Sequence, residues 1–183
     1  LAEFVKISFI KNFKKGLRYI EDTTHLTDVD DSDIFIDSYI IKNEFPNAYK
    51  FAYDETITQT KQGAESLIHN LNTLNSRSGG QTPFSSINYG LDTSAEGRLV
   101  TKSLLEATVS GLGNHETPVF PIQIFTCKKG INQNPEDKNY DLFKLAIECS
   151  SKRLFPNFCN VDAPYNLKYY NPDDYRTAVV TMG

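Results

Sequence analysis

At 183 residues, 39% hydrophobic and 23% charged, the chain has the size and composition of one globular domain with room for a helical extension. A net charge of −4 argues against a broad electrostatic grip on nucleic acid, and no apolar run approaches the roughly 18 residues of a membrane span. Three cysteines, Cys127, Cys149 and Cys159, lack metal-ligand spacing and suit a reducing cytoplasm better than a disulfide framework.

The chain opens on Leu1, not Met, already inside a helical pattern, and stops at Gly183 just after the apolar run Ala178-Val179-Val180. Both ends read as cut from something longer, leaving apolar faces open to self-association. Lys6, Lys11, Lys14 and Lys15 interrupt the only early apolar segment, so no secretory signal is expected. Residues 1–20 are expected to form a helix, with Phe4, Ile7, Ile10, Phe13 and Leu17 inward and Gly16 weakening its end.

An acidic stretch follows, with Glu21, Asp22, Asp28, Asp30, Asp31 and Asp33 among Ser and Thr. It lacks the sixth-position glycine and twelfth-position glutamate of a calcium loop, so a solvated acidic loop is the reading. His25 has no second ligand nearby and reads as a surface residue. Ile34-Phe35-Ile36 and Tyr39-Ile40-Ile41 fit either a short strand pair or a packed turn. Pro46 restarts a helix that runs to about residue 76, its stripe formed by Phe51, Ile57, Thr60, Ala64, Leu67, Ile68, Leu71 and Leu74, joined by Tyr49 and Tyr53. Two such helices form a hairpin of the kind that often meets its own copy in a dimer. His69 is expected to be half-buried on the second helix.

Gly79-Gly80 ends that pattern. Residues 83–89 have strand character, and residues 90–92 a turn. Thr93-Ser94-Ala95-Glu96 fits a capping box, with the Thr93 hydroxyl on the Glu96 amide and the Glu96 carboxylate reaching back. A strand that runs through a glycine turn into a helix N-terminus can aim amides at an anion or nucleotide. An ordinary βα loop with a good cap has the same pattern and is the commoner case.

A regular rhythm follows: a helix over 96–111, a polar loop at 114–118, a strand over 119–127, a turn over 128–137, a helix over 139–153 and strands near 158–161 and 177–181. The order αα then βαβαβ implies parallel strands with right-handed crossovers. The organisation expected is a helical hairpin with an acidic loop over 1–76, then an α/β section over 77–183. Sites in such sheets lie at the strand C-terminal ends, so the loops after residues 89 and 127 and whatever follows Gly183 should share one face. Neither phosphate-binding glycine motif is present, His115 and Glu116 lie at the wrong end of their strand, and each cysteine is expected to be buried and inert.

Taken together, Asn72-Thr73-Leu74, Gly80-Gln81-Thr82-Pro83-Phe84, Tyr89-Gly90, Asp92-Thr93-Ser94 and Arg98 resemble the central barrel of the anaerobic (class III) ribonucleoside-triphosphate reductases, which are glycyl radical enzymes. The resemblance continues through Gly111-Leu112-Gly113, Val119-Phe120-Pro121, Gly130-Ile131-Asn132, Asn139-Tyr140-Asp141 and Lys152-Arg153-Leu154-Phe155-Pro156 to Thr181-Met182-Gly183. Before about residue 70 it is weak.

The resemblance implies a ten-stranded α/β barrel of which this chain holds a part. It implies reduction of ribonucleoside triphosphates to deoxyribonucleotides in a cytoplasmic homodimer, with no membrane or nucleic acid as partner. A radical-SAM enzyme would activate the parent. The thiyl cysteine of the family would come next after Gly183, and the glycyl radical and a structural zinc lie outside the chain, so the chain alone is expected to be inactive. None of Cys127, Cys149 and Cys159 matches a catalytic position. The two helices would help hold ATP or deoxynucleotide effectors, with magnesium. The loop formed by Asn88, Tyr89, Gly90, Leu91, Asp92 and Thr93 would carry effector identity to the substrate. Gly90 is expected to lend this loop freedom to switch. Another glycyl radical enzyme and a stand-alone nucleotide-binding domain are the alternatives.

Overall fold

Helix α1, Ala2–Tyr19, buries Val5, Phe9, Asn12, Phe13, Gly16 and Leu17. Phe13 and Leu17 are buried as expected, but in the first two turns the inward row is Val5 and Phe9, and Phe4 and Ile7 are 72% and 59% exposed. Both rows satisfy a helical period, and the buried row is the one that carries Gly16. In the computed structural model, which describes residues 1–20, 29–74, 80–169 and 171, the chain divides into two compact units. The first comprises residues 1–63 with 94–100, the second residues 64–93 with 101–183. His25, the acidic residues Glu21, Asp22 and Asp28, Gly79 and the strand expected at 177–181 lie outside the described residues.

In the first unit, α1 packs on the helix α3, Pro46–Thr73, which opens on a proline suited to a first helical position. The contact runs through small residues. A Cβ on Gly16 would stand 3.0 Å from the Ala48 carbonyl oxygen, and Ala48, Ala52 and Thr56 are fully buried at four-residue spacing. Gly16 therefore lets two backbones approach and does not mark a weak helix end. Tyr53 is 38% exposed, and Phe51 and Ile57 are only partly covered, contrary to expectation. Hydrophobicity alone points to the large residues, whereas close helix approach selects the small ones. The buried Asn12 amide donates to Thr56 Oγ1 at 3.0 Å and Gln59 Oε1 at 3.1 Å.

Residues 34–38 form a packed turn and residues 39–41 open a short helix, so no strand pair forms. A 3₁₀ turn, Asp31–Asp33, leads to helix α2, Tyr39–Glu44, and Ile34, Ile36 and Ile41 are buried. Asp30 Oδ1 accepts from the Ser32 amide, and Lys14 pairs with Asp31. Helix α4, Ala95–Ser110, begins in this unit. Its cap is Ser94, whose Oγ accepts from the Gly97 amide at 3.0 Å, and the capping box expected on Thr93 does not form. Glu96 is only 7% exposed and accepts the Ile36 amide at 2.8 Å. A buried main-chain donor in an irregular turn needs a partner, and the carboxylate supplies it.

The second unit is a mixed α/β body around a three-stranded parallel sheet in the order β1, β2, β3. These are Ser86–Tyr89, Ile122–Cys127 and Asn157–Asn160. Ser86 aligns with Ile122, and Ile124 with Asn157, as expected for crossovers through α4 and through α5, Tyr140–Arg153. β2 starts three residues later than expected. The Val119 and Phe120 amides are both given to Asn72 Oδ1, at 2.8 and 3.0 Å, and Asn72 Nδ2 donates to the Phe120 carbonyl. These groups are thereby withheld from the ladder. His69 is exposed, because the buried face of this last part of α3 passes through Ala64 and Ile68.

One sheet face packs Phe125 and Cys127 against Leu105, Leu142, Ala146 and Cys149, and a separate cluster gathers Ile124, Cys159 and Val161. Tyr89, Phe125 and Phe158 align across all three strands, with ring centroids 5.9 and 6.0 Å apart. Gly111, at φ +76°, follows the last residue of α4, as expected of its cap. Arg153 then closes that helix end, donating to the Val109 carbonyl through two nitrogens and to the His115 carbonyl through a third.

Candidate functional site at the strand C-terminal ends

Successive residues of a strand point to opposite faces. At the end of β1 this places Asn88 exposed on one face and Tyr89 half-buried toward the helices. The Tyr89 hydroxyl donates to Gln123 Oε1 at 2.6 Å, Gln123 Nε2 donates to Thr108 Oγ1 at 2.7 Å, and Thr108 Oγ1 donates to the Leu104 carbonyl at 2.8 Å. Gln123 and Thr108 are buried. Burial, and then the neighbouring Cys149, pushes the Tyr89 phenol well above its ordinary range, so the proton stays in place to donate.

Gly90 turns at φ +115°, and a Cβ there would stand 2.9 Å from the Thr126 carbonyl oxygen and 3.2 Å from the Phe125 ring. The conformation and the space both call for glycine. The expected gain in freedom is not what this geometry uses, since the turn lies tight against β2. Its carbonyls are also held. Asn132 Nδ2 donates to the Gly90 carbonyl at 3.1 Å and to that of Thr126 at 2.8 Å. Asn139 Nδ2 donates to Gly90 at 3.1 Å and to Asp92 at 2.8 Å. Both asparagines are fully buried. Leu91 is buried, and Asp92 and Thr93 are half-buried.

The loops after the three strands are therefore tied together. The Lys128 amide donates to Asn132 Oδ1, the Lys129 amide to Asp162 Oδ2, and the Val161 amide to the Cys127 carbonyl. Asp92 is the one charged residue of the 88–93 loop, and Lys128 and Lys129 bring positive charge to the adjoining one. Of the residues that build this face, Asn132 and Asn139 escape sequence reasoning. Asparagine is an ordinary turn residue, and no periodicity marks one as buried.

All three cysteines are buried, as expected. Burial pushes the Cys127 and Cys149 thiols up to about 11, and raises Cys159 against a partial offset from the Asn166 hydrogen bond. Their folded values lie above the ordinary 9.0. The stability linked to them is thus complete below about pH 9 and is lost as pH rises toward 11. Chemical denaturation should accordingly show falling stability across that window, with alkylation of native protein at pH 8 far slower than of unfolded chain. Rapid native labelling would contradict this account. A cleft of about 510 Å³ on the helix side is lined by Cys127, Gln133, Phe143, Ile147, Phe158 and Asn160, none of them in the 88–93 loop. Among the described residues, no helix is long and apolar enough to cross a membrane.

Residues 9–183 match the family described as anaerobic ribonucleoside-triphosphate reductase. Over 99 residues the chain is 50% identical to the anaerobic ribonucleoside-triphosphate reductase of Haemophilus influenzae, covering 54% of this chain and 14% of that protein. It is 42% identical over 118 residues to the Escherichia coli K12 protein of that name, covering 64% and 16%. It is 35% identical over 117 residues to that of Enterobacteria phage T4, covering 63% and 19%. The chain thus spans less than a fifth of each of these relatives. With its match running from residue 9 to the last residue, the chain belongs to the anaerobic ribonucleoside-triphosphate reductase family.

Proposed function

We propose that this chain is a central section of an enzyme that reduces ribonucleoside triphosphates to deoxyribonucleotides by glycyl and thiyl radical chemistry. The family match over residues 9–183 carries the reading. In it, β1, β2 and β3 are three of ten barrel strands, residues 1–76 serve a homodimer and its nucleotide effectors, and a radical-SAM enzyme activates the parent in the cytoplasm. The loop of Asn88, Tyr89, Gly90, Leu91, Asp92 and Thr93 conveys which effector, ATP or a deoxynucleotide with magnesium, is bound.

The chain's own residues hold and orient. Asn88 offers an amide on the exposed sheet face, where both a base edge and a ribose hydroxyl can pair with it. Tyr89 anchors the strand end behind it through Gln123. Lys128 and Lys129 add positive charge that attracts a triphosphate, which Asp92 alone would repel. The three cysteines do not fit the zinc site: Cys127 and Cys149 lie in one cluster and Cys159 in another. In this reading the zinc is held by another part of the parent. The parent's radical supplies hydrogen abstraction at the substrate.

The test is an anaerobic assay with activating enzyme and reductant. The full-length parent should form deoxynucleotides, the isolated chain should form none, and the parent should lose activity when the cysteine expected after Gly183 is changed to serine. Product from the isolated chain, or a parent with another residue after Gly183, would overturn the reading.

A further inference from the structure

The motifs Gly130-Ile131-Asn132 and Asn139-Tyr140-Asp141 have no part in the function proposed above. We infer that Asn132 and Asn139 are positioning residues for substrate choice, a fixed and a releasable member of one latch on the 88–93 loop. The inference rests on the proposed role of that loop.

The two amides differ in what they join. Asn132 Nδ2 donates to Gly90 and Thr126, and its Oδ1 accepts from the Lys128 amide. Two of its three bonds stay within β2 and the loop that follows, so it moves with β2. Asn139 Nδ2 spends both N–H groups on the loop itself, at the carbonyls of Gly90 and Asp92. Its main-chain amide is fixed separately to the Ile131 carbonyl at 2.9 Å. The two carbonyls it bridges are separated by Leu91 alone, so any rotation of that residue that parts them must break an Asn139 bond. Both side chains are fully buried, and a broken bond strands a donor away from water. The latch therefore gives the loop a preferred arrangement and a defined bond to lose on leaving it. A ligand that shifts the loop must bind the released form more tightly than the held form.

The test uses the full-length parent. Asn139→Asp keeps the shape but turns a carboxylate toward two carbonyls and cannot donate. Under at least one effector it should shift the product ratio from competing substrates by about 5-fold or more, within the roughly 5- to 150-fold span of allosteric coupling. Effector binding by calorimetry should be retained and become tighter, because the variant populates more of the released form that the effector prefers. A lowered melting temperature with an unchanged product ratio would show a merely structural asparagine and overturn the inference. Asn88→Ala and Asp92→Ala separate the two claims. If they move the ratio and Asn139→Asp does not, the latch fails and the loop reading stands. If none of the three does, the loop reading fails and takes the latch with it. Should Asn139→Asp not fold, Asn139→Ser serves, since a hydroxyl can replace at most one of the two donations. In the unmodified parent, effector binding should also alter hydrogen exchange at residues 90–93, and no change with any effector would overturn the latch.

Discussion

Phe125→Ala is expected to lower the unfolding free energy by about 3–5 kcal/mol, the cost of emptying a filled aromatic site. Phe125 is fully buried in the middle strand and meets Tyr89, Phe143 and Phe158 within about 6 Å between ring centroids. Its register partners are Tyr89 and Phe158, so the ring fills the row that aligns the three strand ends. Its edge also bounds the space at Gly90. A cavity here cannot collapse without moving a strand, and incomplete collapse is what makes such truncations costly. Phe158→Ala is the comparison: at 43% exposure on the outer strand it should cost about 1–2 kcal/mol, since less apolar area is lost from cover. Denaturant unfolding with unchanged slopes measures both. Equal losses would mean that the row is not centred on Phe125.

Gly90→Val should cost about 3 kcal/mol or more. A backbone at φ +115° is hostile to a branched side chain, and such strain is worth roughly 1–3 kcal/mol. The first carbon would in addition meet the Thr126 carbonyl at 2.9 Å, an oxygen that already accepts from Asn132. Neither the main-chain oxygen nor the buried amide behind it can step aside. Gly130 provides the control, because it has φ +80° and no atom within 4 Å of an added Cβ. Gly130→Ala should cost about 1 kcal/mol, from conformation alone. If Gly90→Ala and Gly130→Ala melt alike, the close approach of the first turn to β2 carries no energy. The large loss expected at Gly90 also makes that position a poor probe of switching, which is better read at Asn88 and Asp92.

Repeating patterns made most of the fold legible. Helical periods located α1, α3, α4 and α5, and the alternation of strand and helix foretold the parallel β1–β2 pairing that Ser86 and Ile122 begin. Which face turned inward was harder. Phe4 and Val5 are both apolar and adjacent, and the choice between their rows depended on Gly16 meeting Ala48, a contact 32 residues away in sequence that no local pattern encodes. Thr93 and Ser94 are both good caps, and the choice again came from outside, because Glu96 was drawn to the Ile36 amide. The strand-end face was half legible. Gly90 marked itself as a turn, but the two asparagines that bind it lie 42 and 49 residues further along the chain, one in a segment that reads as a plain turn and the other at the start of a helix. Long-range pairing of a single polar side chain leaves no periodic trace.

Asn72 behaves as a borrowed peptide group. Its Oδ1 takes two amides at 119–120, and its Nδ2 gives to the Phe120 carbonyl and to the Ile68 carbonyl one turn back in α3. An amide alone offers both signs on one small plane. A carboxylate could keep the two acceptances but would oppose both carbonyls, and a leucine of similar size would satisfy none of the four groups. The last turn of α3 and the segment leading into β2 are thereby riveted into one mechanical piece, although 48 residues of chain separate them. The helix end and the segment before β2 thus share one set of main-chain partners, so displacing either one costs bonds at the other.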